Sequence, residues 1–135
     1  MMNQQLNGKS CSTESGAVDE PLSRIEGLDF TEGLYLAAGN RELYAAILSA
    51  FLTNNSDVVE RVREACAVDD IVTATRLVHS LKGAAGTIGA IRLQETSRAA
   101  ERALSDGEER VAEAEIQDIE RLIAPLLSQL REALV

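Results

Sequence analysis

Tryptophan is missing from this chain of 135 residues, and phenylalanine and tyrosine occur only twice each. With aromatics at 3% but hydrophobic residues at 45%, an interior has to be assembled from Leu, Ile, Val and Ala. That palette suits helix packed on helix better than a sheet of β-branched and aromatic strands, and an all-α domain is predicted. Basic residues are scarce: 13 Lys and Arg against 22 Asp and Glu leave a net charge of −9, with no dense basic patch. Nucleic acid and anionic membrane surfaces are therefore not expected as partners, because either would repel the chain. No apolar run approaches the roughly 18–20 residues that span a bilayer, and the N-terminus has neither the basic start nor the apolar middle of a secretory signal. A cytoplasmic location is expected. Cys11 lies in a polar stretch and Cys66 on an apolar helical stripe, so no disulfide framework is expected. One histidine and two separated cysteines make no zinc ligand set. The length suffices for one domain with an aliphatic core and is too short for a kinase catalytic module beside it.

Residues 1–20 are rich in Asn, Gln, Ser, Gly and Thr without hydrophobic period, and read as a flexible N-terminal tail or a linker. Pro21 marks a boundary, and 21–135 form the domain. A short helix is predicted over about Thr31–Ala38, capped by Thr31 and stopped by Gly39. Asn40 caps the next, Arg41 to Asn54, with Leu43, Ile47, Ala50 and Phe51 as its stripe. Ser56 caps a third, carrying Val59, Val62 and Cys66. Asp69 or Asp70 caps a fourth over Ile71–Ile88, ended by Gly89. A fifth runs from about Ala90 to Ser105 with Leu93, Ser97, Ala100 and Leu104 inside, and Asp106-Gly107 forms the turn after it. The last, about Glu108 to Leu134, carries Ile116, Ile119, Ile123, Leu126, Leu130 and Ala133 at antiparallel-bundle spacing. Pro125 predicts a kink there or two segments meeting at Ala124. The expected architecture is an antiparallel four-helix bundle with an extra short N-terminal helix.

The chemistry concentrates in Val78 to Ala90, which holds the only histidine. At about 100° per residue, His79, Lys82, Gly83 and Gly86 fall on one side of the helix, while Leu77, Val78, Leu81, Ala85 and Ile88 gather on the other. A lone histidine is usually incidental, but a core histidine belongs on the aliphatic face and this one does not. Each helical glycine costs about 0.5–1 kcal/mol relative to alanine, so two beside the imidazole call for a reason beyond helix formation. They either pack against a neighbouring helix or clear space for a partner's surface, and their projection with His79 favours clearance. Lys82, one turn from His79, can neutralise an anion on the ring. Ser80 and Thr87 lie on the flank, where one could orient the ring. Val72, Thr75 and Arg76 lie one to two turns earlier on nearly the same side, as a rim for a docking surface. Together these features describe a site for carrying a phosphoryl group.

The run His79-Ser-Leu-Lys82-Gly83-Ala-Ala-Gly86-Thr-Ile-Gly89-Ala resembles the His-x-x-Lys-Gly pattern of histidine-containing phosphotransfer domains. Gly27-Leu-Asp-Phe-Thr-Glu-Gly33-Leu and Asn40 to Leu52 look like that family's opening helices, and Leu93 to Leu104 looks like the helix after its histidine, so the resemblance covers roughly residues 22 to 130. It implies that a receiver domain bearing an aspartyl phosphate docks over His79. An imidazole nitrogen, usually Nε2, takes the phosphoryl group, and a second receiver later removes it. In such a phosphorelay the domain is a carrier rather than an enzyme, a monomer with no cofactor of its own, the magnesium ion being held by the receiver. The partners implied are receiver domains and a hybrid histidine kinase.

Three other readings are weaker. An autophosphorylating dimerisation-type kinase fragment typically has an acidic residue after its histidine and a proline a few positions on, where this chain has Ser80, Ala84 and Ala85. The phosphoacceptor domain of a chemotaxis-type kinase shares the fold and a similar motif, and Leu93-Gln94-Glu95-Thr96 resembles it, but Gly27 to Leu52 looks more like the relay type. A helical adaptor that is never phosphorylated would use the same face only for docking.

Overall fold

Polar caps and short turns divide the chain into the helices α1 (Phe30–Leu36), α2 (Arg41–Asn54), α3 (Val58–Ala67), α4 (Ile71–Ile88), α5 (Ile91–Ser105) and α6 (Glu109–Ala133). The computed structural model describes residues 21–134, so the expected tail or linker, with Cys11 in it, lies outside the described residues. Residues 21–23 add a further helical turn, and no strand occurs among the described residues, so the fold is all-α as predicted. Helix α4 packs most extensively on α5, and α5 on α6. Both α2 and α3 pack on α4 and α6 but little on each other, which places them end to end along one corner of a bundle whose other corners are α4, α5 and α6. The turns between successive long helices are short enough to reverse the chain, and α1 lies across the end of α4.

Several boundaries differ from expectation. Asp29 rather than Thr31 caps α1, its carboxylate accepting from the Glu32 N–H at 3.0 Å. Asn40 caps α2 through the Leu43 N–H, as predicted. Asp57 rather than Ser56 stands at the start of α3, without a side-chain cap. Of the two candidates before α4, Asp70 is the cap, accepting from the Thr73 N–H, and α4 ends where predicted, on a left-handed Gly89. Helix α6 continues through Pro125 as one element. Proline there removes the donor for the Arg121 carbonyl, and both residues lie on the solvent face, where water can take over that role.

The buried rows of α5 and α6 match the predicted ones, except that Ala133 is only half-buried. In α2 the buried row is Tyr44, Leu48 and Phe51, whereas Leu43 and Ala50 are exposed and Ile47 is half-buried. The phase of α2 is set by Tyr44, whose hydroxyl donates to the Ile88 carbonyl at 2.8 Å and so satisfies one of the free acceptors at the end of α4. Burial, and then the charge of Asp29, push the Tyr44 phenol well above its ordinary pKa, which keeps it a donor at any physiological pH. In α3 the row is Val58, Val62 and Ala65, with Val59 and Cys66 half-buried. Around Tyr44 the backbone closes tightly. A Cβ at Gly33 would strike the Tyr44 hydroxyl and the Ile88 carbonyl, and one at Gly89 would strike the backbone of Asp29 and Gly33. The Asp29 N–H donates to the Gly89 carbonyl at 2.9 Å across the same junction, tying α1 to the end of the histidine helix.

Gly33→Ala is accordingly expected to destabilise the domain by about 1–3 kcal/mol through overpacking. Tyr44→Phe, which leaves the Ile88 carbonyl without its side-chain donor, is expected to cost about 0.5–1.5 kcal/mol. Because the hydroxyl is one of the atoms an added methyl would meet, the double variant should cost less than the sum, which urea unfolding of the four proteins in a double-mutant cycle measures.

Candidate functional site

Helix α4 turns Ala74, Val78, Leu81, Ala85 and Ile88 into the core, each at 1% exposure or less, and that rotation carries His79 outward. Leu77 of the predicted apolar face is half-buried, and Ala74 extends that face one turn earlier than predicted. The His79 side chain is 63% exposed, so it supports little packing. Its Nδ1 lies 2.8 Å from Oε2 of Glu101, on α5. The other oxygen of the same carboxylate, Oε1, accepts from Lys82 Nζ, also at 2.8 Å. One carboxylate therefore spans both His79 and Lys82.

Lys82 first, and His79 after it, hold the Glu101 carboxyl below the usual carboxylate range by hydrogen bonding, against the opposing effect of its partial burial. At neutral pH Glu101 is ionised and can only accept, so the proton of the shared hydrogen bond resides on His79 Nδ1. A neutral His79 then presents its bare lone pair at Nε2, the nitrogen not engaged by protein. Orientation and tautomer are thus set by a single contact from the neighbouring helix, and exposure by the burial of the opposite face of α4.

The expected positions distribute unevenly around this centre. Lys82, expected as an uncommitted cation, is only 24% exposed at its side chain and is already paired with Glu101. Gly83 opens to free space, and a Cβ there meets nothing within 4 Å. Gly86, expected on the same open face, is half-buried: the Gln94 side chain of α5 lies over it and would collide with an added Cβ. Helix α5 packs against this edge of α4, so the lack of a side chain at Gly86 makes room for Gln94. Thr87 donates to the Gly83 carbonyl at 3.0 Å instead of to the imidazole, and Ser80 is exposed. Val72, 68% exposed, with the half-buried Thr75 and the exposed Arg76, leads from His79 along a groove between α4 and α5 whose far wall includes Glu101 and Leu104. Val68 stands out just before the helix, 75% exposed.

Glu101 was not singled out from the sequence. It stands 22 positions after His79, one of 22 acidic residues, and its only local signal is its place one turn after the buried Ser97, at the border of the inner face of α5. Among the described residues no group of three or more His, Cys, Asp or Glu side chains is arranged to hold a metal ion, and no helix is long and apolar enough to cross a membrane.

The sequence matches the Hpt domain over residues 46–134. This chain belongs to that family. Among curated proteins it is similar to the sensor protein GacS of Pseudomonas syringae pv. syringae, 32% identical over 104 residues. That alignment takes in 77% of this chain and 11% of the sensor protein, so the chain spans a small part of the length of its relative. No solved structure matches it. Membership in the Hpt domain family makes histidine phosphotransfer in two-component phosphorelays its general activity, consistent with an exposed imidazole held by a carboxylate in a helical bundle.

The Glu101 contacts carry a pH signature. A carboxyl that is harder to protonate when folded contributes stability above its unfolded value, about 4.3, and loses it as pH falls through the lower folded value. Glu101→Gln removes that titration, so the variant should lose less stability than the wild-type Hpt domain between about pH 5 and pH 3. Urea midpoints of both proteins across this window check the difference.

Proposed function

We propose that this Hpt domain accepts a phosphoryl group on Nε2 of His79 from the aspartyl phosphate of a receiver domain and passes it to the aspartate of another. The observation that carries this reading is the Nδ1–Glu101 contact, which commits one ring nitrogen to a carboxylate and leaves the other exposed as a nucleophile. Phosphoryl transfer depends on in-line placement and on neutralisation of charge, with little covalent chemistry asked of the carrier. As Nε2 bonds to phosphorus, positive charge develops on the ring, and the Glu101 carboxylate stabilises it without accepting the Nδ1 proton. Lys82 holds that carboxylate in place from the other side. The domain itself needs no cofactor; the receiver brings the magnesium ion. On this reading it acts in the cytoplasm as a monomeric carrier rather than as an independent enzyme.

Docking is assigned to the surface around the ring. Gly83 gives room on the C-terminal side. Val72, Thr75 and Arg76 form the rim on the N-terminal side, where the exposed valine supplies apolar contact.

His79→Gln is expected to keep full helix content and to acquire no acid-labile phosphate when mixed with a phosphorylated receiver; such phosphate on the variant would overturn the reading. Gly83→Leu separates docking from folding. A leucine there enters open space and improves helix propensity, so the melting temperature should hold or rise, by at most about 1 kcal/mol in stability, while transfer from the receiver falls. Gly86→Leu, in contrast, has to displace the flexible end of the Gln94 side chain, which offsets the gain in helix propensity, so its melting temperature should rise less than that of Gly83→Leu. Circular dichroism melts and transfer rates on both variants distinguish the two glycines.

A further inference from the structure

Lys82 is the cation that the motif places nearest His79, yet its ammonium is bound to Glu101 and only 24% exposed. If Lys82 left Glu101 to meet a phosphoryl group, it would loosen the carboxylate that holds the imidazole. The other cation at the site is Arg76. It lies at i−3 from His79, a spacing that makes two residues neighbours on a helix surface. Side chains on a helix lean towards its N-terminus, so the His79 ring lies over the turn that holds Thr75 and Arg76. His79, Arg76 and Glu101 accordingly line the same groove, and Lys82 is not among its walls. Arg76 is exposed, and among the described residues no carboxylate lies within ion-pair distance of it. Asp70 attracts it only at a distance, because the Asp70 oxygens are held by the backbone N–H and hydroxyl of Thr73.

We propose that Arg76 is the catalytic cation of this Hpt domain, its guanidinium contacting the phosphoryl oxygens during transfer to and from His79 Nε2, while Lys82 serves only to position Glu101. The inference rests on His79 being the phosphoacceptor. In the forward step the Nε2 lone pair forms the N–P bond as the P–O bond to the donor aspartate breaks, its electron pair leaving on the aspartate carboxylate. The Nδ1 proton stays on the ring, hydrogen-bonded to Glu101. The product is an imidazolium beside a phosphoryl dianion. Glu101 faces the first charge and Arg76 the second, and a guanidinium offers paired N–H groups matched to two phosphoryl oxygens.

A small donor that needs no docking surface, phosphoramidate, isolates the chemical contact from receiver recognition. Phosphohistidine formation is followed by phosphorus NMR for the wild type, Arg76→Gln and Arg76→Lys, with phosphoramidate and with a phosphorylated receiver. Arg76→Gln is expected to slow labelling about 10-fold to 100-fold with both donors, the range for loss of one charge-assisted contact, and Arg76→Lys to recover part of the rate. Long-range proton–nitrogen spectra of the ring should show the same Nδ1–H tautomer in all three proteins, since Glu101 is untouched. A normal phosphoramidate rate in Arg76→Gln overturns the proposal, whether or not the receiver-dependent rate falls, because Arg76 would then act in docking or not at all. A changed tautomer also overturns it, since Arg76 would then act through the ring's orientation. Failure of the wild type to label His79 with either donor would instead refute the phosphoacceptor reading on which the inference rests.

Discussion

Burial of one row on α4 sets the geometry of the whole site. Ala74, Val78, Leu81, Ala85 and Ile88 are all but inaccessible, and they meet α3 on one side and α5 on the other. Burying a Val, Leu or Ile side chain is worth about 1.5–3 kcal/mol, so turning α4 by one residue position would forfeit several such contributions together. The helix is therefore held in a single rotational setting. His79 directly follows Val78 and stands two positions before Leu81, and its exposure follows from their burial rather than from any property of the imidazole. A similar constraint acts at the far end of the helix, where Gly33 and Gly89 let the backbones of α1 and α4 approach closely and the Tyr44 side chain ties α2 to the last turn of α4.

On that frame the electrostatics reduce to one carboxylate with two donors. Glu101 has both oxygens occupied at 2.8 Å, and an ionised carboxylate so engaged cannot release either partner without leaving a partly buried charge less well satisfied. The consequence for chemistry is a division of labour. Nδ1 is committed, Nε2 is exposed, and Lys82 belongs to the support of the ring more than to its open face. The groove towards Val72 and Arg76 and the free space over Gly83 then lie on opposite sides of the imidazole, so an approaching surface meets an arginine and exposed apolar side chains on one side and bare backbone on the other.

Not all helices were equally legible. In α4 polar and apolar residues separate cleanly around the axis, and its ends carry unambiguous signals in Asp70 and Gly89, so its bounds and its buried face could be read directly. In α2 the run from Leu43 to Leu52 is apolar nearly all round, and periodicity cannot choose between a stripe through Leu43 and Ile47 and one through Tyr44 and Leu48. The choice falls to Tyr44 because its hydroxyl can reach a carbonyl that only the folded arrangement brings near. The start of α1 was misplaced by two residues for a related reason: Asp29 and Thr31 are both good caps, and the bond from the Asp29 N–H to Gly89 favours the first. Pro125 shows the limit of a local rule, since a proline on the solvent face of a long helix does not divide it.

By itself the sequence determined the all-helical class, the extent of the histidine helix, the separation of its two faces and the identity of the one imidazole that could act. Those properties depend on contacts within a few residues, where spacing along the chain and spacing in space are nearly the same. Tertiary structure alone decided which nitrogen of His79 is bound, that Lys82 is paired, and that Gly86 lies under Gln94 while Gly83 stays open. Each of these depends on α5, whose residues are 8 to 22 positions away from the α4 residues they touch and whose register against α4 is set by packing of the two inner faces. A helical repeat tells where a side chain points, but the partner it meets is fixed only when the second helix is laid against the first.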